Sequence, residues 1–154
     1  MTSPAMSTGW GERVILVDVN LPVHAVNLDS PFHEKARTWW DAALSGTDPV
    51  CLPWVTILGF VRITTSRHIL AEPMSHTAAC EYVDGWFAQP CVRSIDPLPG
   101  HWERVRSLLE SVGSAGNLTT DAHLAALALE HGCEVYSTDS DFGRFPGLRW
   151  TNPV

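Results

Sequence analysis

Three aspartates from distant parts of the chain stand where chemistry could be done. Asp18 directly follows the apolar run at 14–17, and Asp139 directly follows a predicted strand at 135–138. Ligand sites in open parallel α/β sheets form outside the carboxyl ends of the strands, so both carboxylates are expected at one edge. Asp121 falls in the first turn of a predicted helix that enters from the same edge. The sequence therefore predicts that these three aspartates meet.

Three carboxylates held close together repel one another, and each raises the pKa of the others unless a cation neutralises them. Carboxylate oxygens and water are ligands that suit a hard cation such as Mg²⁺ or Mn²⁺. A cation at such a site can turn a bound water into a nucleophile and stabilise the phosphorus centre of an in-line displacement. The chemistry predicted for this edge is the hydrolysis of a phosphodiester.

Each of these acids also has an ordinary structural role open to it. Asp121 could be a first-turn acid favoured by the helix dipole. Asp18 could cap the helix that follows it, and Asp139 and Asp141 could form a turn in Thr-Asp-Ser-Asp. For any single residue the structural role explains the pattern equally well. Their joint placement at one edge favours the metal site.

The composition limits the class of protein. A chain of 154 residues, 45% hydrophobic and 18% charged, suits a single globular domain. The net charge of -7 argues against binding nucleic acid mainly through a basic surface. A bound divalent cation reverses the sign of the local field, so a metal-dependent nuclease is compatible with an acidic chain. No apolar run approaches the about 20 residues that span a bilayer, which predicts no membrane partner.

The N-terminus and the cysteines favour a cytoplasmic protein. Residues 1–12 lack the basic region followed by an apolar stretch that marks a signal peptide, and predict a short flexible lead before one domain at 13–154. The cysteines share no CxxC pair, so buried reduced thiols are expected rather than a zinc site or a redox motif. The four cysteines are Cys51, Cys80, Cys91 and Cys133.

Strands and helices that alternate along the chain must position the aspartates. Apolar, β-branched runs predict strands at 14–17, 50–52, 91–95, 134–138 and 148–151. Helical spacing of apolar residues predicts helices at 21–27, 32–44, 54–65, 75–88, 101–112 and from 119 or 120 to 131. This alternation predicts an α/β fold, a three-layer sandwich with a central parallel β-sheet of about five strands.

Two details of the helices are predicted from local signals. Ser30 followed by Pro31 suggests an N-cap and the first residue of the second helix. In the helix at 54–65, Leu58 is expected to face the core together with Ile57 and Val61.

Three segments of the chain resemble the conserved blocks of PIN-domain ribonucleases. They are ILVDVNLPVHA near the start, TTDAHLAALALEHG late in the chain and YSTDSDFGRF near the end. Their order and spacing match the family, and the resemblance covers residues 13–154. Within this family the chain looks like a VapC-type toxin.

This resemblance implies a Mg²⁺-dependent endoribonuclease that a small cognate antitoxin, similar to VapB, neutralises. It implies that Asp18 and Asp121 bind the metal, that Asp139 completes the site and that Asp141 is a supporting acid. Two residues would pack beneath the loop that carries these acids, Phe142 and Phe145. Because related toxins form dimers, the resemblance also implies a homodimer.

One block departs from the family pattern. PIN domains usually carry a glutamate directly before the aromatic residue of a helix that reads roughly Glu-Phe-x-Arg. Gly59 stands at that position here, while Phe60 and Arg62 fit. Three other acids could supply the missing carboxylate: Asp41, Asp48 and Asp84.

The missing glutamate leaves open a second interpretation, a catalytically weakened PIN-like scaffold that acts as a protein-binding or RNA-binding module. The three retained aspartates argue against it, because an inactive site has no reason to hold three like charges. A phosphatase of the HAD type, suggested by Asp139 and Asp141, would need its aspartyl nucleophile early in the chain. That interpretation is disfavoured.

Aromatic and basic residues raise further possibilities. The helices at 32–44 and 75–87 carry more tryptophan than a core of this size needs, which predicts a docking surface for the antitoxin. Four tryptophans could instead fill the core or stack on bases: Trp39, Trp40, Trp54 and Trp86. Arg62 and Arg144 could contact phosphates of RNA. Structural roles are expected for two histidines that lack a third ligand, His123 and His131.

Overall fold

The computed structural model describes residues 13–154, and the flexible lead predicted at 1–12 lies outside the described residues. The strands are β1 (Ile15–Val17), β2 (Val50–Pro53), β3 (Val92–Ile95), β4 (Glu134–Tyr136) and β5 (Trp150–Thr151). The helices are α1 (Asn20–Val26), α2 (His33–Ser45), α3 (Trp54–Thr64), α4 (His76–Phe87), α5 (His101–Val112) and α6 (Thr119–His131). Short 3₁₀ turns cover Gly116–Leu118 and Ser140–Arg144.

The five strands form one sheet in the order β3-β2-β1-β4-β5, and every pairing is parallel. Strand β1 lies between β2 and β4, so that Leu16 stands opposite Cys51 on one side and Val135 on the other. Because β1 and β4 are parallel neighbours, their carboxyl ends lie side by side. The residues that follow these two strands are thereby brought to one edge.

Each face of the sheet is covered by helices, which makes the three layers. Side chains alternate between the faces along a strand. Leu16 joins a buried cluster with α5 and α6, whereas Ile15 and Val17 join a second cluster with α1 to α4. Helix α6 is buried almost continuously from Asp121 to Ala128. The predicted α/β three-layer sandwich with a parallel five-stranded sheet is confirmed.

The N-cap predicted for α2 at Ser30 is wrong. The helix begins at His33, and Ser30 belongs to a turn before it. The Ser30 hydroxyl accepts a hydrogen bond from the Phe32 backbone N–H, and the Ser30 carbonyl accepts one from His33 N–H. Serine can organise a turn in the same way that it caps a helix, so the local signal does not separate the two.

The predicted inward face of α3 is also partly wrong, since 63% of Leu58 is exposed. The buried face carries Ile57 and Phe60 together with two threonines, Thr56 and Thr64. Thr56 Oγ1 donates to the carbonyl of Val17, and Thr64 Oγ1 donates to that of Phe60. A hydroxyl that finds such an acceptor can be buried, which a pattern of apolar residues does not reveal.

The thiols are all free, and three of the four are buried. Cys51, Cys91 and Cys133 match the prediction, but Cys80 on α4 is exposed because the buried face of that helix is set by Ala79 and Trp86. Within residues 13–154, no helix combines the length and the apolar character needed to cross a membrane.

Candidate metal centre

Asp18 lies where β1 meets the end of β4, and only 6% of it is exposed. Its backbone N–H donates to the carbonyl of Tyr136, which fastens the two strand ends together. The Thr56 hydroxyl donates a hydrogen bond to the carbonyl of Val17, the residue before Asp18, and so holds the start of α3 at the same edge. The position of Asp18 is therefore fixed by the backbone of two strands and one helix.

The carboxylate of Asp18 is also held in place. Its Oδ1 accepts a hydrogen bond from Val19 N–H at 2.8 Å, and its Oδ2 accepts from Ser137 Oγ at 2.7 Å and from Asn20 Nδ2 at 3.0 Å. Burial raises the pKa of Asp18 above its usual range, the hydrogen bonds from Ser137 and Val19 oppose this, and the charge of Asp139 raises the pKa further. The carboxylate is rigid before any ion binds.

Asp121 lies in the first turn of α6 and is 9% exposed. Burial, followed by the charge of Asp139 and a shared hydrogen bond with it, raises the pKa of Asp121 to about 7. The charges of Asp18 and Asp141 act in the same direction. The predicted aspartates therefore lie close enough together for the charges of the others to act on Asp121.

The loop after β4 presents two more carboxylates. Asp139 Oδ1 accepts a hydrogen bond from Asp141 N–H at 2.9 Å, which starts the 3₁₀ turn over Ser140–Arg144. Phe142 and Phe145 are buried beneath this turn, as the resemblance implies. One oxygen each from Asp121, Asp139 and Asp141 lies within 4.8 Å of the other two.

This group fits a hard divalent cation. Opposite ligand oxygens of an octahedral Mg²⁺ ion lie about 4.2 Å apart, twice the bond length of about 2.1 Å. The three oxygens can reach such an ion with small rotations of their side chains. Asp18, predicted as a ligand, stands beside this group of three, and Asp141, predicted as a supporting acid, belongs to it.

Comparison with known proteins shows the family to which the chain belongs. The family model described as the PIN domain matches residues 15–148. The chain belongs to the PIN-domain family.

A close relative of this PIN domain is the ribonuclease VapC37 of Mycobacterium tuberculosis. The two are 43% identical over 138 residues, which cover 90% of this chain and 96% of the relative.

Solved structures share the fold at low sequence identity. VapBC2 from Rickettsia felis, bound to a DNA fragment from its promoter, superposes with a TM-score of 0.66 and 14% identity over 90% of this chain and 98% of that one. The Mycobacterium tuberculosis toxin VapC20, which cleaves the sarcin-ricin loop, gives a TM-score of 0.63 and 18% identity over 88% of this chain and 98% of that one.

The PIN domain has glycine where the family pattern has glutamate, and the structure shows what surrounds that position. A Cβ on Gly59 would lie 3.2 Å from Cγ2 of Val19, the residue directly after Asp18. Position 59 therefore lies beside the acidic edge. The group of three carboxylates within residues 13–154 includes none of the proposed substitutes, Asp41, Asp48 and Asp84.

A second polar cluster, which the spacing of residues does not predict, joins α5 and α6. The side chain of Glu130 on α6 is fully buried and accepts hydrogen bonds from Leu98 N–H at 2.9 Å and from His101 Nδ1 at 2.5 Å. The other ring nitrogen of His101 lies 2.8 Å from Nδ1 of His123. Arg104 lies 3.5 Å from the same carboxylate. An acid in an otherwise apolar helix was the signal, because a buried carboxylate needs partners.

This cluster fastens α5 to α6, the helix that carries Asp121. Burial, with the charge of His101, lowers the pKa of His123, and Glu130 opposes the shift. His131 bonds the carbonyl of Asp96 at 2.8 Å. The structural roles expected for His123 and His131 agree with these contacts.

The other predicted contact residues divide between core and surface. Trp40 and Trp86 are buried, and Trp39 stacks on Tyr136 with ring centres 5.3 Å apart. Half of Trp54 is exposed. Both arginines suggested for RNA, Arg62 and Arg144, are exposed.

Proposed function

We propose that this PIN domain is a VapC-type toxin, a metal-dependent endoribonuclease that hydrolyses RNA phosphodiester bonds with Mg²⁺ or Mn²⁺. The observation that carries the proposal is the group of carboxylate oxygens within 4.8 Å of one another, beside the rigid carboxylate of Asp18. The identity of 43% with a ribonuclease supports the choice of RNA as substrate.

The residues of the site have separable tasks in this proposal. A bound ion would supply an activated water and a positive charge for the phosphate oxygens. Asp121 and Asp139 would hold the ion, and Asp18 would face it from a position fixed by Ser137 and Asn20. Because the pKa of Asp121 is raised to about 7, ion binding must displace a proton from this group below that pH.

Induction of the gene in a bacterial host tests the proposal. We expect Asp18→Asn and Asp121→Asn to abolish toxicity, since each change removes a negative oxygen ligand while keeping the size of the side chain. The melting temperature of purified Asp121→Asn should equal or exceed that of the parent, because repulsion at the site falls. Asp18→Asn should melt lower, because its amide nitrogen cannot accept the hydrogen bonds that the Asp18 carboxylate accepts. Asp84→Asn on the exposed surface of α4 is the matched control and should stay toxic. Full toxicity of Asp121→Asn contradicts the site assignment.

A non-catalytic binding module is the second candidate, and Gly59 is the observation that favours it. Such a module would bind RNA or protein without cleaving RNA at any Mg²⁺ concentration. The two candidates therefore separate in a cleavage assay with metal titration.

We propose that a small VapB-like antitoxin docks in the groove between α2 and α4, where the sequence predicted a tryptophan-rich surface. The groove has a volume of about 750 Å³. Its apolar floor includes Trp40 and Trp86, and charged residues such as Arg37 and Glu81 line it as well. A floor of buried aromatic rings beside charged groups is typical of a surface that receives a protein segment.

One atom at this groove supports the proposal. Trp40 is 3% exposed, and its Nε1–H has no hydrogen-bond partner within the described residues. A buried N–H without an acceptor costs about 1–3 kcal/mol. Because this N–H is fully buried, a docked segment would recover that energy if the Trp40 ring turned so that the N–H met a carbonyl oxygen of the segment.

Filling the groove tests the antitoxin proposal. Ala78 lines it, so Ala78→Trp should weaken the binding of a VapB-like antitoxin by about tenfold or more, while RNA cleavage persists. Ala71→Trp, at an exposed position between α3 and α4 and outside the groove, is the matched control. Equal affinity of Ala78→Trp and the parent, measured by calorimetry, contradicts docking in this groove.

We further propose a homodimer in the cytoplasm. Trp54, Leu58 and Phe87 are exposed, with the rings of Trp54 and Phe87 6.2 Å apart, and such a surface suits association. Light scattering should give twice the mass of one chain, and a monomer would contradict the dimer. Free thiols and a substrate of RNA favour the cytoplasm.

A further inference from the structure

We infer that His101 is a positioning residue for the proposed cleavage reaction: it clamps α6 near both ends and so sets the direction in which Asp121 presents its carboxylate. The inference rests on the proposed ribonuclease function and deepens it, because it gives a task in that reaction to a residue of α5, outside the acidic edge. Three features of the described residues support this role: the buried carboxylate of Glu130, the contact between two histidines and the way in which α6 begins.

Glu130, in the last turn of α6, anchors the clamp. Its side chain is fully buried in a helix that is otherwise largely apolar. Three groups contact its carboxylate: the Leu98 N–H at 2.9 Å, His101 Nδ1 at 2.5 Å and Arg104 Nη1 at 3.5 Å. A buried carboxylate is costly when it loses such a partner, so the position of the His101 ring is strongly fixed.

The His101 ring joins Glu130 to a second residue of α6. Its Nε2 lies 2.8 Å from Nδ1 of His123, and the two rings are nearly perpendicular, at 87°. His123 and Glu130 are seven residues apart, which is about two turns, or about 10 Å, of helix. One ring on α5 therefore holds α6 near its start and near its end. Contact at two such points restricts both the rotation of α6 about its axis and its tilt against α5.

The rotation of α6 matters because of where Asp121 lies. Asp121 and His123 are two residues apart and therefore about 200° apart around the helix axis. The Asp121 carboxylate faces Asp139 and Asp141 on one side of α6, whereas His123 faces α5 on the other. A small rotation of the first turn would move the Asp121 oxygens relative to those of the other two acids. His101 opposes that rotation.

The start of α6 has little other polar support. No side chain caps this helix, which follows directly on the 3₁₀ turn at Gly116–Leu118. The connection from α5 passes through Gly113 and Gly116, whose φ values of 70° and 59° belong to the conformationally permissive backbone of glycine. Leu118 and Ala122 are buried and hold the turn by packing. Packing is less directional than a hydrogen bond, so the bond to His123 is what fixes the rotation of this turn.

Cleavage of a defined RNA by the purified full chain, with Mg²⁺ titrated, tests the inference. His101→Leu removes both hydrogen bonds, and we expect it to raise the Mg²⁺ concentration for half-maximal cleavage by about tenfold or more. His101→Gln keeps one donor and one acceptor and should recover most of the Mg²⁺ requirement of the parent. Val105→Ala, on the buried face of α5, is the matched control. It should lower the melting temperature by leaving a cavity but should not change the Mg²⁺ requirement.

His123→Leu tests the clamp even if His101→Leu fails to fold. Its side chain is only half-buried, and the change keeps every contact of Glu130, so the variant should fold. We expect it to raise the Mg²⁺ requirement as well. In hydrogen exchange without metal, residues 119–123 should exchange faster in His123→Leu than in Val105→Ala.

The outcomes separate the inference from the function on which it rests. If the parent cleaves RNA with Mg²⁺ but His123→Leu needs no more Mg²⁺ than Val105→Ala, the inference is overturned and the proposed function stands. Equal hydrogen exchange of residues 119–123 in these two variants also overturns it. If the parent shows no cleavage at any Mg²⁺ concentration, the proposed function fails and the inference fails with it.

Discussion

The hydroxyl of Ser137 donates a 2.7 Å hydrogen bond to Oδ2 of Asp18, and both residues are buried. Ser137 directly follows β4, and Asp18 directly follows β1. The same hydroxyl oxygen accepts hydrogen bonds from Asn20 Nδ2 and from Asp139 N–H. One serine therefore joins two strand ends, orients one carboxylate and fixes the loop that carries the others.

Removal of this hydroxyl should affect both stability and the metal site. Ser137→Ala leaves a buried carboxylate short of a charge-assisted hydrogen bond, so we expect the free energy of unfolding to fall by about 1.5–3 kcal/mol. Mn²⁺ affinity should fall as well, because Asp139 loses its backbone anchor. Ser137→Thr keeps the hydroxyl and should retain most of the stability and most of the Mn²⁺ affinity. Urea unfolding measures the stability, with Ser140→Ala in the exposed part of the same loop as control. If Ser137→Ala lowers the free energy of unfolding no more than Ser140→Ala does, the hydrogen bond from Ser137 to Asp18 does not stabilise the fold.

The raised pKa of Asp121 predicts how stability depends on pH without metal. The carboxyl group has a pKa of about 7 in the folded chain against an ordinary value of 3.8, so the folded state holds a proton that the unfolded state has released. The contribution of Asp121 to the free energy of unfolding is therefore fully present below about pH 4 and is lost as the pH rises through about 7. Unfolding in chelator at several pH values should show this loss as a difference between the parent and Asp121→Asn. Saturating Mg²⁺ should make the free energy of unfolding depend on pH in the same way in the parent and in Asp121→Asn. If the free energies of unfolding of the two proteins change with pH in parallel in chelator, the pKa of Asp121 is not raised.

Glutamate introduced at position 59 should have opposite effects with and without metal. The new Cβ meets Val19 Cγ2 at 3.2 Å, a contact that a half-buried valine can relieve by a small movement and that Val19→Ala removes. In chelator the added charge should lower the melting temperature of Gly59→Glu, since five carboxylates then share one edge. With metal, half-maximal RNA cleavage should require less Mg²⁺.

Gly59→Ala, which adds the Cβ without the charge, is the control. If Gly59→Glu changes neither the melting temperature in chelator nor the Mg²⁺ requirement, position 59 does not face the site.

The buried acid on α6 should matter far more than an exposed ion pair on the neighbouring helix. His101→Ala removes a partner from the fully buried side chain of Glu130 and should cost roughly 3 kcal/mol of unfolding free energy. Arg106 and Glu110 form an exposed pair on α5 at 3.1 Å, and Arg106→Ala should cost less than about 1 kcal/mol. Chemical denaturation of the two variants provides the comparison. Similar losses would contradict a special role for the cluster around Glu130.

The sequence predicts the layout of the fold well because hydrophobic periodicity and strand order follow simple rules. The run before Asp18 is buried on both faces, as a central parallel strand must be. The predicted strand at 134–138 is shorter in the structure and ends at Tyr136. The N–H of Ser137 still donates to the carbonyl of Thr151, but the carbonyl of Ser137 accepts from the Trp150 side chain instead of a strand N–H. Patterns of apolar residues cannot reveal such a local exchange of partners.

The candidate metal site was predictable only in part. Asp18 and Asp139 follow strands that proved to be neighbours, and Asp121 begins a helix from the same edge, so general rules for parallel sheets bring them together. Asp141 joins them through one side-chain to backbone hydrogen bond within a turn. The cluster of Glu130, His101 and His123 depends on how α5 crosses α6. Neither arrangement follows from the spacing of residues.

Cleavage of a defined RNA by the purified chain, with Mg²⁺ titrated from a chelated solution, tests the central claim most directly. We expect no cleavage in chelator, cleavage that saturates with Mg²⁺, and loss of that cleavage in Asp121→Asn although this variant melts at or above the temperature of the parent. Cleavage that persists in chelator, or that Asp121→Asn leaves at the level of the parent, would contradict a metal-dependent ribonuclease at this site.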